Sequence, residues 1–128
     1  SEGMASGLIQ RAGGDARKAA AEVDAALAKV AAVTGGGAQQ TPGLDNDAVR
    51  VLDQAEQIAA KSQDSYVTVE RLLVALALAT TTSAGQALKT AGVDPKALEA
   101  AITQLRGGRT ADSAGAENAY DAMKKYAR

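Results

Sequence analysis

The run over residues 69–79, reading VERLLVALALA, is the most hydrophobic stretch of the chain. Leu72, Leu73, Val74, Leu76 and Leu78 leave it almost no polar face. A helix that is apolar all round is buried all round. Its 11 residues are too few to span a bilayer, which takes about 20. Alanine and leucine favour helix over strand. The run is therefore expected to be the central helix of a small helical domain, with Leu72 to Leu78 as core and amphipathic helices as walls.

Composition supports an all-α chain. Alanine dominates, and phenylalanine and tryptophan are absent from the 128 residues. Such a chain packs small-residue helices closely rather than building a sheet, and its length allows one domain with one core. Without cysteine or histidine, disulfides, thiol chemistry and the commonest general base and metal ligand are excluded. A net charge of −1 with interspersed signs argues against nucleic acid, which needs a basic face. No signal peptide, membrane span or lipidation motif is visible, so a cytoplasmic protein without a membrane partner is expected.

Turn and cap residues divide the chain. A short helix over 4–11 carries Ala5, Leu8 and Ile9 on one side and ends at Ala12-Gly13-Gly14, where glycine accepts the left-handed helix-ending conformation. Asp15 caps a second helix over 16–32, with Ala19, Val23, Ala26, Leu27 and Val30 at helical spacing. Residues 34–43 hold four glycines and Pro42 and read as a linker; with no Lys-Ser/Thr after them, they fail the phosphate-loop pattern. Asp45 or Asn46 caps a helix over 47–61, with Ala48, Val51, Leu52, Ala55, Ile58 and Ala59 inward. Thr68 caps the central helix. A short helix over 84–90 ends at Ala91-Gly92, and Asp94-Pro95 opens another with Leu98, Ala101, Ile102 and Leu105 inward, closed by Gly107-Gly108. Residues 118–128 read as a further helix with little apolar surface.

The chain also repeats itself. At an offset of 79 positions, Ala12-Gly13-Gly14-Asp15 falls on Ala91-Gly92-Val93-Asp94, Ala5 on Ala84, Ile9 on Leu88, Val23 on Ile102 and Ala26 on Leu105. Both copies read short helix, Ala-Gly turn, Asp cap, longer helix. Two helices precede the second copy and none the first, so the first repeat is expected to lack about 40 residues. The expected organisation is residues 1–33 as the second half of repeat 1, 34–45 as linker, 46–107 as repeat 2, and 108–128 as a linker and helix leading onward.

The stretches VRVLDQAEQIAAKSQDSYVTVERLLVALA and LKTAGVDPKALEAAITQLRGG, with the tail RTADSAGAENAYDAMKKYAR, resemble the N-terminal domain of the ClpB disaggregases, Clp-type AAA+ chaperones. The resemblance implies two pseudo-twofold-related four-helix repeats, the first incomplete here. It implies a mobile domain at the entrance of a homohexameric ring, capturing unfolded or aggregated polypeptide for threading, with an Hsp70-type chaperone system as co-worker. ATP and Mg would belong to the parent protein, with no cofactor in this chain. Carried over by position, it implies an apolar groove with Leu52 in its lining and acidic flanks at Asp64 and Glu70. A neighbouring groove position falls on the polar Gln54, and an N-terminal threonine of the family's patch has no counterpart.

Each of these residues has a plainer role open to it. Leu52 lies on an apolar stripe and suits a core. Asp64 suits an Asx-type turn, and Glu70 suits the positive end of a helix dipole. Tyr66 is either a hydrophobic staple for the central helix or a fourth groove residue. Catalysis is not expected: no nucleophile motif, metal cluster or nucleotide loop is present. Two other functions remain open, namely docking a folded adaptor, as in the ClpA and ClpC families, and a structural spacer.

Overall fold

The computed structural model describes residues 2–34, 45–107 and 109. The segment 35–44 and most of 108–128 lie outside the described residues, and with them nearly all of both expected linkers and the expected C-terminal helix. Six helices form among the described residues: α1 (Glu2–Arg11), α2 (Ala16–Thr34), α3 (Asn46–Lys61), α4 (Val69–Leu78), α5 (Ser83–Thr90) and α6 (Pro95–Arg106).

The caps explain the boundaries. Asp45, rather than Asn46, accepts the Ala48 amide at 3.0 Å. Thr82 accepts the Gly85 amide at 3.0 Å and donates to the Ala79 carbonyl at 2.7 Å, so one hydroxyl starts α5 and anchors it to the end of α4. Asp15 and Asp94 accept from Arg17 and Lys96 in the first turns of α2 and α6. Each side-chain oxygen answers one of the amides that a helix start leaves unpaired.

The core centres on α4, which packs against each of the other helices. Every residue from Val69 to Ala77 is buried. Around it stand Ala5, Leu8 and Ile9 of α1, Val23, Leu27 and Val30 of α2, Val51 and Ala55 of α3, Leu88 of α5, and Leu98 and Ile102 of α6. The expected core differs at one end: Leu78 is 47% exposed. It is the last residue of α4, where the helix has emerged past the cover of its neighbours.

Three helix ends share one hydrogen-bond pattern, in which the two amides after the last helical turn bond back to carbonyls five residues and three residues earlier. At the end of α1, Gly14 and Gly13 donate to Ile9 and Gln10; after α5, Val93 and Gly92 donate to Leu88 and Lys89; after α3, Asp64 and Gln63 donate to Ala59 and Ala60. This is the Schellman arrangement, which needs a left-handed residue at its second position. The first two pairs stand 79 positions apart and supply glycine there. The third supplies Gln63, at φ 65°. The two glycine turns also meet: the Asp15 amide donates to the Ala91 carbonyl at 2.9 Å. Around that meeting point α1 packs on α6 and α2 on α5.

Candidate functional site

The third turn delivers Asp64 to the mouth of α4, where it enters a buried charge network. Asp64 is 4% exposed and Glu70 0%. Asp64 Oδ2 accepts Arg71 Nε at 2.9 Å, and Oδ1 accepts Arg106 Nη1 at 2.6 Å. Glu70 Oε1 accepts Arg106 Nε at 2.8 Å and lies 2.7 Å from Nη2. Arg106 Nη2 also donates to Thr68 Oγ1 at 3.3 Å, the hydroxyl that caps α4 through the Arg71 amide. Two carboxylates and two guanidinium groups balance in charge, as buried ions must. Of the buried side-chain polar atoms among the described residues, only Glu70 Oε2 has no hydrogen-bond partner.

The network shifts its members' proton affinities. Burial pushes the Glu70 carboxyl above its ordinary value, overriding the opposing pull of Arg106 and Arg71. Burial works the other way on Arg106, but its bonds to Asp64 and Glu70 prevail and hold it firmly charged.

The structure brings Asp64 and Glu70, which the resemblance implied as acidic flanks of a groove, together inside the fold through Arg106. Leu52 and Tyr66 are half-buried, and Leu52 packs against the core. Arg106, Arg71 and Thr68 were not singled out from sequence as parts of this site. A signal existed for Arg106: it falls four residues after Ile102 and eight after Leu98, on the buried stripe of α6.

At the other end of α4, the exposed Leu78 borders a cavity. The cavity, of about 350 Å³, lies between α3 and α4, lined by Val51, Ala75, Leu78 and Ala79 and edged by Asp47, Arg50, Gln54 and Thr81. Among the described residues, no group of acidic side chains is arranged to hold a metal ion, and no helix is long and apolar enough to cross a membrane.

The model of the Clp repeat (R) N-terminal domain matches residues 1–91. The chain belongs to that family. Curated relatives extend the match to the whole chain: "Chaperone protein ClpB" of Rhodopseudomonas palustris is 56% identical over 100% of it, that of Agrobacterium fabrum 50% over 99%, and that of Rickettsia bellii 42% over 94%. The chain spans 14% of the length of each of these ClpB proteins. No solved structure is a significant match. The chain is therefore a Clp N-terminal repeat domain of ClpB type, all-α, with its network at one end of α4 and its exposed leucine at the other.

Proposed function

We propose that this domain is the substrate-engaging part of a ClpB-type, ATP-dependent disaggregase, which captures unfolded or aggregated polypeptide for threading by a hexameric AAA+ ring in the cytoplasm. In that parent, ATP and Mg serve modules outside this chain, and an Hsp70-type system works alongside. The observation that carries the reading is the notch beside Leu78: an exposed leucine next to a cavity with a mixed polar edge, a place where an apolar segment of an unfolded chain can seat. The ClpB relatives over the full chain support it. Half-buried Leu52 and Tyr66 add candidate contact surface. Asp64 and Glu70 serve the same function by holding the mouth of α4 in shape. The two matched glycine turns support a pseudo-twofold repeat whose first copy is incomplete in these residues.

Titration of this chain with a fluorescent, permanently unfolded polypeptide, with the same protein in folded form as control, tests the reading. Saturable binding of the unfolded form alone is expected. Binding of neither form refutes it and favours a spacer. Binding only of a folded partner favours adaptor docking.

A further inference from the structure

One side chain ties the last turn of α6 to a distant part of the chain. Arg106 lies 36 residues from Glu70 and 42 from Asp64 in sequence, yet bonds the loop after α3 and the first turn of α4 together. Its neighbours on the C-terminal side make local bonds. Gly107, left-handed at φ 60°, donates to the Thr103 carbonyl, and the Arg109 side chain donates to the carbonyls of Arg106 and Leu105.

The network is also one donor short. The single bonded oxygen of Glu70 meets both Nε and Nη2 of Arg106, while Oε2 is buried without a partner among the described residues. A buried, unpaired acceptor is costly, and water relieves the cost when the site opens. Helix ends are low in local stability. The end of α6 is thus clasped to the residue of α4 that carries the unsatisfied buried oxygen.

We propose that Arg106 is a positioning residue, a latch that makes the end of α6 and the segment 64–70 open and close as one unit. The direction in which the chain leaves α6 then follows the state of Asp64 and Glu70. Whatever draws either carboxylate away frees the end of α6, and by linkage whatever pulls on that end loosens the mouth of α4. The inference stands apart from client binding.

Amide hydrogen exchange on the 128-residue chain tests it, using Asp64→Asn, Arg106→Gln and Arg106→Lys. With Asp64→Asn, protection at Gly107 is expected to fall about tenfold, although the substitution lies far away in sequence. With Arg106→Gln, protection is expected to fall similarly at the Asp64 and Arg71 amides, while Leu73 and Val74 stay protected. Arg106→Lys, which keeps the charge but loses the fork, recovers part of it. Loosening confined to each substituted segment overturns the latch, as does a uniform loss that includes Leu73 and Val74. If Arg106→Gln does not fold, Asp64→Asn decides: unchanged protection at Gly107 overturns the proposal.

Discussion

Gly14 and Val93 occupy matching places in two like turns, and the valine fills the space that a side chain on the glycine would need. A Cβ added to Gly14 would lie 2.5 Å from Val93 Cγ2 and 3.1 Å from both the Ala91 carbonyl oxygen and Ile9 Cγ2. The turns meet closely because one of them gives up its side chain. Gly14→Ala is expected to cost about 1–3 kcal/mol, the usual penalty of overpacking. Adding Val93→Ala removes the nearest clash and should recover much of it, with a coupling of roughly 1 kcal/mol. Urea denaturation of the two single variants and the double variant measures this.

Gln63 takes the left-handed position that Gly13 and Gly92 hold in the other two turns. An L-residue there costs about 1–2 kcal/mol, and glycine would return about 0.5–1 kcal/mol of that as unfolded-state entropy. Gln63→Gly is therefore expected to stabilise the chain by about 0.5–1 kcal/mol. Gly92→Ala has open space around its Cβ, so its effect is backbone strain alone, and it should destabilise by about 1 kcal/mol. Thermal denaturation should move in opposite directions for the two.

Removing one partner from the network should depend strongly on which. Arg106→Met leaves two buried carboxylates facing Arg71 and is expected to cost about 3–5 kcal/mol. Glu70→Gln should be milder, because burial penalises the ionised carboxyl and glutamine keeps an oxygen that can accept from Arg106. Because its native value lies above the ordinary 4.5, the folded state binds this proton more readily than the unfolded chain does. The contribution of Glu70 is thus fully present below about 4.5 and is lost as pH rises through its folded value. Wild type should gain stability relative to Glu70→Gln as pH is lowered toward 4.5. A difference that shrinks on acidification would contradict the assignment.

The parts of this structure legible in sequence are those written in short spacings. The glycine turns, the caps at Asp15, Thr68 and Asp94, and the stripe of Ala5, Leu8 and Ile9 each depend on residues within about one or two turns. The Clp family was legible too, through long stretches of resemblance. The interior of the site was not. Asp64 and Arg106 meet across 42 positions, and helix periodicity does not say which buried arginine finds which carboxylate. Gln63 stands where turn chemistry would write glycine. Leu78 belongs to an apolar run, yet its exposure depends on where the neighbouring helices stop covering α4, a tertiary fact.

Leu78 offers the sharpest separation of binding from stability. With 47% of its surface exposed, replacement by serine forfeits only part of a buried leucine's contribution, about 1 kcal/mol. The fold should survive with a slightly lower urea midpoint. If the notch beside Leu78 receives apolar segments of unfolded polypeptide, Leu78→Ser should weaken that binding by about tenfold, corresponding to about 1.4 kcal/mol. Gln54→Leu, on the edge of the same notch, should strengthen it by adding apolar surface. Fluorescence anisotropy with one labelled unfolded polypeptide reads both variants. Unchanged affinity in both, with the fold intact, would remove this notch from the binding surface and leave half-buried Leu52 and Tyr66 as the next residues to test.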